Sequence, residues 1–251
     1  MYKILANTVF LGKDIHFLTE CHSTNDLAIQ KIKKKELAEG SIIITDAQTR
    51  GRGQRGNRWW SEPGKNLTFS LVLTPYFLDP SEQFDLNVVV SLAVVQALSE
   101  YVYELKVKWP NDILHEQKGK IGGILIENIL NQKGIEVSIV GIGLNINQHM
   151  TALPFSTSLA DLTGREWDKW EIFKIIIQKI EKNYMLLKRG QKQQLRSLYL
   201  DKMYRFGMRA TFNDGEIFQG KILGVGESGK LIIEKMDGSH NHYAFKEVKY
   251  L

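Results

Sequence analysis

The stretch of sequence that decides the fold runs over residues 41–74 and reads SIIITDAQTRGRGQRGNRWWSEPGKNLTFSLVLT. Its two ends, residues 41–46 and 66–74, are rich in β-branched and apolar residues, a composition typical of buried strands. Residues 49–60 between them hold four arginines, three glycines and two tryptophans, and no acidic residue. Because strands flank this run on both sides, we expect a basic loop held within a folded sheet.

Three interpretations of the basic run are open: a disordered nucleic-acid arm, an anion-binding loop and a solvated turn. The hydrophobic strand that follows argues against a disordered arm. Glycines let backbone N–H groups approach an anion, and arginines bind phosphate or carboxylate oxygens bidentately, so a ligand loop is favoured. The run is neither a Walker loop nor a dinucleotide fingerprint. Trp59 or Trp60 could stack on a nucleobase, with core packing as the alternative for each.

Patterns outside this stretch predict an α+β fold. Strands are predicted over 14–19, 105–109, 112–115, 122–131 and 135–144, and helices over 24–38, 83–103, 168–188 and 191–204. From about residue 206, short strands alternate with Asp-Gly and Ser-Gly turns. We therefore expect a large mixed sheet backed by helices over residues 1–205 and a small β-barrel-like domain over 206–251.

Composition narrows the class of protein. The 251 residues carry a net charge of +5, which permits anionic ligands without requiring nucleic acid. Cys21 is the single cysteine, so neither an internal disulfide nor a cysteine-based zinc site can form. The N-terminus lacks a signal-peptide pattern, and no apolar stretch approaches the roughly 18 residues that span a bilayer. The sequence predicts a cytoplasmic protein with no membrane partner.

Two short motifs suggest charge chemistry. In KWPNDIL (108–114), Asp112 follows a bend at Pro110 and could offer a carboxylate to magnesium near phosphates; a plain Asx turn is the alternative. In KGKIGGILIE (118–127), Lys120 is expected just before a strand that opens with glycines. Its ammonium suits developing negative charge, with a solvated turn lysine as the alternative.

A third motif, CHSTND (21–26), precedes the first predicted helix. Ser23 or Thr24 is expected to cap that helix. Hydroxyl groups at a helix N-terminus also bind polar ligand groups, so capping and ligand binding are compatible.

Five motifs and their order along the chain resemble those of biotin protein ligases. They are S-T-N, G-R-G-x-R-G with a nearby tryptophan, K-W-P-N-D, K-x-G-G-I-L and G-I-G-x-N-x-N. The match covers roughly residues 14–147, and the C-terminal module resembles the family's SH3-like domain in position and character. The resemblance implies a class II synthetase-like catalytic domain. It also implies that biotin reacts with ATP to give biotinyl-5′-AMP, which then biotinylates a lysine of a biotin carboxyl carrier protein. Such a reaction needs positioning and charge rather than a protein nucleophile.

The same resemblance implies roles for individual residues, with Lys120 and Arg52 as the catalytic pair. Biotin contacts are implied for Ser23, Thr24, Asn25, Gln48, Arg52, Gly53, Gln54, Lys120 and Gly123. ATP contacts are implied for Arg55, Trp59, Asn111, Asp112, Lys120 and Asn145, with magnesium (Mg2+) at Asp112. Gln54 stands where some members carry arginine, and Arg50 and Arg55 are candidates to compensate for the lost charge.

Two rival functions stay open: a lipoate- or octanoate-type ligase or transferase, and a nucleic-acid-binding protein without catalysis. The G-R-G-Q-R-G and K-W-P-N-D motifs argue against the first. Some members of the family that this sequence resembles carry an N-terminal helix-turn-helix domain. Here the S-T-N motif begins at residue 23, so no specific DNA partner is expected. A homodimer formed through a sheet edge is a further expectation.

Overall fold

A seven-stranded mixed sheet forms the centre of the molecule. The structure, a computed structural model, describes residues 7–150 and 154–251, without the side chain of Arg55. The sheet has the order β1-β2-β3-β7-β6-β5-β4, in which β1 and β2 are parallel and all other neighbours antiparallel. Its strands are β1 (Ile15–Cys21), β2 (Ile42–Gln48), β3 (Leu67–Leu73), β4 (Leu105–Lys108), β5 (Asp112–His115), β6 (Gly119–Asn131) and β7 (Gly134–Leu144).

Helices cover both faces of this sheet. They are α1 (Thr24–Lys33), α2 (Phe84–Leu98), α3 (Leu159–Thr163), α4 (Lys169–Lys188) and α5 (Lys192–Asp201). Side chains of successive strand residues point to opposite faces. Accordingly, Ile42 and Ile44 join the main core with α2 and α4, whereas Ile43 packs with Ala28 of α1. The predicted sheet backed by helices is confirmed. None of the helices in the described part of the chain is both long and apolar enough to cross a bilayer.

The C-terminal strands form a second, five-stranded antiparallel sheet of order β11-β10-β9-β8-β12. Its strands are β8 (Arg209–Asn213), β9 (Ile217–Val225), β10 (Leu231–Lys235), β11 (His240–Tyr243) and β12 (Lys249–Tyr250). Gly215, Gly229 and Gly238 have positive φ in the predicted turns, a conformation that favours glycine. The division at residue 205 stays a prediction, since buried residues of both sheets belong to one continuous core.

The turn between β9 and β10 is held against the helices of the first sheet. The Arg196 guanidinium of α5 pairs with Asp85 Oδ1 at 2.6 Å and donates to the carbonyls of Gly226 at 3.1 Å and Glu227 at 3.0 Å. Trp109 Nε1 donates to the Gly229 carbonyl at 2.9 Å. These contacts fix the second sheet beside the β4–β5 edge of the first.

Several element bounds differ from the sequence expectation. Helix α1 ends at Lys33 rather than 38, because the chain turns into the left-handed region at Lys35 (φ 59°). Helix α2 ends at Leu98, and the short α3 was not predicted. Strand β6 begins at Gly119, so Lys120 lies inside the strand rather than before it. The main chain of Lys120 pairs with Leu114 of β5 on one side and with Ser156 on the other, which extends the strand.

Candidate functional site

A cavity of about 720 Å³ opens where the two sheets meet. Its walls come from the start of α1, the end of β2, the loop over residues 50–58 (the basic loop), strands β4 to β7 and residues 245–250. Most of the predicted site residues line it: Ser23, Thr24, Asn25, Gln48, Arg52, Gly53, Gln54, Trp59, Asn111, Asp112, Lys120 and Gly123. The fold therefore gathers into one cavity motifs that are widely separated in sequence.

One wall is polar and rigidly hydrogen-bonded. Ser23 caps α1, with its Oγ accepting from Asp26 N at 3.4 Å. Thr24 N donates to Gln48 Oε1 at 2.7 Å, and Ser70 Oγ donates to Thr24 Oγ1 at 2.7 Å. These bonds hold hydroxyl and amide groups in fixed orientations for a polar ligand.

Two glycines of β7 make room for this wall. A Cβ at Gly141 would lie 2.4 Å from Asn25 Oδ1, and a Cβ at Gly143 would lie 2.4 Å from Cε2 of Trp59. Both glycines line the cavity, a role that the sequence interpretation did not assign to them. Their spacing of two residues, which places both on one face of a strand, was the available signal.

The basic loop folds back on itself along one side of the cavity. Gly53 N donates to the Asn57 carbonyl at 2.7 Å, and Trp59 N donates to the Gly51 carbonyl at 3.0 Å. The Arg52 guanidinium pairs with Asp26 Oδ1 at 2.7 Å and Glu127 Oε2 at 2.6 Å. Arg52 was expected to meet an anionic ligand, and in this structure it meets two carboxylates of the protein itself.

Two buried polar atoms at this end of the cavity, Gln54 Oε1 and Trp59 Nε1, have no hydrogen-bond partner among the described residues. Because buried polar groups are nearly always satisfied, such atoms point to a ligand with complementary polar groups. The half-buried Trp59 also offers a flat aromatic surface beside the basic loop, whereas Trp60 is 60% exposed and does not line the cavity.

Cationic side chains outnumber carboxylates in the cavity lining. Lys120 Nζ lies 2.6 Å from Asp112 Oδ1. Burial lowers the pKa of Lys108, with the nearby Asp112 opposing this shift in part. Among the described lining residues, Asp112 is the single carboxylate facing six cationic side chains: Arg52, Arg58, Lys108, Lys120, Lys246 and Lys249. Arg52 is already paired with Asp26 and Glu127, and the remaining excess of positive charge suits an anion with several charges, such as a polyphosphate.

Two predicted residues are placed differently from the rest. Asn145 is buried outside the cavity lining, where its Nδ2 donates to the Thr157 carbonyl at 3.1 Å and its backbone N donates to the Ile121 carbonyl at 2.8 Å. It thereby braces the segment that pairs with Lys120. The side chain of Arg55 lies outside the described residues. Asn111 does line the cavity, and its Nδ2 donates to the Ile124 carbonyl at 2.6 Å.

The second sheet supplies a wall that no motif indicated. The residues are Phe245, Lys246, Val248, Lys249 and Tyr250. No local spacing marks them as ligand contacts, since they reach the cavity through the docking of one sheet on another.

The cavity fits magnesium only together with phosphates. The described part of the chain contains no cluster of three or more His, Cys, Asp or Glu side chains that could hold a metal ion. Magnesium is commonly held by one or two carboxylates plus substrate phosphates, and Asp112 provides one such carboxylate.

Comparison with known proteins identifies the family. The family model described as "Biotin/lipoate A/B protein ligase family" matches residues 18–147. The chain is 30% identical to a bifunctional ligase/repressor BirA of Bacillus subtilis over 246 residues, which cover 94% of this chain and 74% of that protein. It is 28% identical to the Escherichia coli BirA, with coverage of 89% and 70%.

Among solved structures, a biotin protein ligase from Aquifex aeolicus in complex with biotin and ATP superposes with a TM-score of 0.79 at 28% identity. The match covers 95% of this chain and 100% of that one. The region matched by the family model contains β2 to β7 and the cavity motifs up to Gly143. This chain belongs to the biotin/lipoate A/B protein ligase family.

Proposed function

We propose that this protein is a biotin–protein ligase. Biotin's carboxylate oxygen attacks the α-phosphorus of ATP and displaces pyrophosphate, giving biotinyl-5′-AMP. The amine of a lysine on a biotin carboxyl carrier protein then attacks the acyl carbon, loses a proton and releases AMP. The observation that carries this proposal is one cavity that combines a hydrogen-bonded polar wall with six cationic side chains in its lining. The relatives named as biotin ligases support it.

In this proposal, each residue of the cavity has a role that follows from its chemistry. Ser23, Thr24 and Gln48 orient the polar ring of biotin, and Lys120 holds its carboxylate against the α-phosphate. Trp59 offers its face to adenine, and Lys108 faces the remaining phosphates. When bound with ATP at Asp112, magnesium would neutralise part of the phosphate charge. Because the substrate supplies the nucleophile, the protein contributes position and preorganised charge.

Exchange of radiolabelled pyrophosphate into ATP tests the proposal. We expect exchange that depends on biotin and is absent with lipoate, with octanoate or with no acid. Biotin should then pass to a carrier domain and not to a variant whose acceptor lysine is replaced by arginine. Exchange supported by lipoate or octanoate but not biotin would favour the rival ligase, to which the family name also extends.

A second candidate is nucleic-acid binding without catalysis. The cationic side chains counted above line a cavity rather than an open face, which favours a small anion. The absence of a specific DNA partner, a homodimer and a cytoplasmic location all stay predictions of the sequence.

A further inference from the structure

The Arg52 side chain joins the basic loop to two different walls of the cavity. Asp26, one of its partners, lies in the first turn of α1, directly after Ser23 to Asn25. Glu127, the other, lies on β6, the strand that also carries Lys120. The distances of 2.7 and 2.6 Å are those of charge-assisted hydrogen bonds.

Little else among the described contacts ties the loop to the walls. Arg50 N donates to the His22 carbonyl at 2.9 Å at the base of the loop. The bonds of Gly53 and Trp59 described above stay within residues 51–59. Leaving aside the side chain of Arg55, the ion pairs that link the basic loop to other described elements are those of Arg52.

We propose that Asp26 and Glu127 are positioning residues that hold the basic loop over the cavity through Arg52. The inference rests on the proposed function and adds to it that the closed basic loop retains biotinyl-5′-AMP. Arg52 then links the basic loop to the cavity walls. The carboxylates of Asp26 and Glu127 stabilise the loop in its position over the cavity before any anion binds. Retention of the adenylate then depends on these two carboxylates, although neither residue lines the cavity.

Glu127 offers a clean test of the ion pair. Its Oε2 also accepts from Asn25 Nδ2 at 2.8 Å. A glutamine keeps an oxygen that can accept this bond and keeps the shape of the side chain, but it removes the charge that Arg52 meets. Glu127→Gln and Asp26→Asn are therefore the informative variants. Glu136→Gln is the matched control, because Glu136 is exposed on β7 and no ion pair of the described residues includes it.

Hydrogen exchange of the ligand-free protein tests directly whether the two ion pairs of Arg52 hold the basic loop in place. Partly exposed ion pairs are individually weak, so we expect about three- to fivefold faster exchange of amides in residues 50–58 in Glu127→Gln and in Asp26→Asn. Amides of β3 should be unchanged, as should the loop in Glu136→Gln. Equal loop exchange in all variants and wild type would overturn the inference.

The release rate of biotinyl-5′-AMP tests the consequence for function. We expect about three- to fivefold faster release from Glu127→Gln, with little change in the KM for carrier protein. Adding Glu127→Gln to Arg52→Gln should cause no further change, because the partner is already gone. An equal effect of Glu127→Gln in both backgrounds would mean that Glu127 acts independently of Arg52, which contradicts the proposal.

The two hypotheses fail in different ways. A wild-type protein that forms no adenylate from biotin and ATP overturns the proposed function, and with it the inference about retention. A wild-type protein that forms the adenylate, with release unchanged in Glu127→Gln, overturns the inference alone.

Discussion

Lys120 brings a positive charge into the cavity beside the Asp112 carboxylate. We predict that Lys120→Ala slows adenylate formation by about a hundredfold, or on the order of 3 kcal/mol in the barrier, because the carboxylate loses the cation that holds it and the charge developing on the phosphate loses its partner. The melting temperature should change little, since Lys120 is only half-buried. Single-turnover adenylation measures the effect. The exposed Lys118→Ala is the control, and a near-normal rate in Lys120→Ala would remove Lys120 from the mechanism.

Lys108 bears a charge that the ligand-free fold does not favour, because burial lowers its pKa. We predict that Lys108→Met leaves the melting temperature unchanged or raises it, while the KM for ATP rises roughly tenfold, about 1.4 kcal/mol. Thermal unfolding measures the melting temperature, and steady-state kinetics measure the KM for ATP. A lower melting temperature with an unchanged KM would show that Lys108 serves the fold rather than the nucleotide.

The lowered pKa of Lys108 also predicts a pH dependence. Between the folded-state pKa and the higher unfolded-state pKa, the unfolded chain binds the extra proton. The contribution of this group to stability therefore grows as pH rises through that window. The affinity for ATP should fall over the same rise, because Lys108 loses its charge. Lys108→Met should lack this part of the pH profile.

At the scale of secondary structure, β7 depends on having no side chain at the point where Trp59 crosses it. We predict that Gly143→Ala displaces the Trp59 indole towards the cavity, since the new Cβ would lie 2.4 Å from the ring. Overpacking of this kind costs roughly 1–3 kcal/mol. Calorimetric titration should show ATP affinity reduced by about tenfold. Gly226→Ala, whose Cβ would meet nothing closer than 3.8 Å, is the control. Unchanged ATP affinity in Gly143→Ala would contradict this placement of Trp59.

The strands and long helices could be predicted because their signals are local. The β-branched run at 42–44 predicts a buried strand, and the long apolar run of α2 predicts a buried helix, whatever the tertiary arrangement. The ends of helices were less predictable, because the left-handed turn at Lys35 depends on packing after the helix. Strand order was not predictable, since the pairing of β3 with β7 joins residues about seventy positions apart in sequence.

In the candidate site, too, the residues within local motifs could be predicted, and the contacts that depend on tertiary structure could not. Ser23, Gln48 and Lys120 could be found because each lies in a motif. The partners of Arg52, in contrast, come from α1 and β6, and no spacing in the basic loop indicates them. Lys249 escaped prediction because it reaches the cavity only when the second sheet docks.

At the scale of the whole molecule, docking of the second sheet depends on a buried ion pair. Asp85 is 1% exposed and pairs with Arg196, which also binds the turn between β9 and β10. We predict that Arg196→Met lowers the free energy of unfolding by roughly 3 kcal/mol, because it leaves a buried carboxylate without its partner. Chemical denaturation measures this, and the KM for ATP should rise as the wall at residues 245–250 loosens.

A double variant separates charge burial from packing. Asp85→Asn added to Arg196→Met removes the uncompensated charge, so part of the lost stability should return. The KM for ATP should stay high, because the turn still lacks the guanidinium that held it. Full stability in Arg196→Met alone would show that the ion pair does not hold the two sheets together.

The wall formed by residues 245–250 has a consequence for the order in which the protein becomes active during its synthesis. The ribosome makes Ser23 first and Tyr250 more than two hundred residues later, yet both line the same cavity. A nascent chain that has emerged as far as β7 can pair the central sheet and shape the polar wall. It still lacks Lys249 and Tyr250, so the pocket stays open on the side that the second sheet covers. We therefore expect nucleotide binding to be acquired only after residues 245–250 have left the exit tunnel and the second sheet has docked.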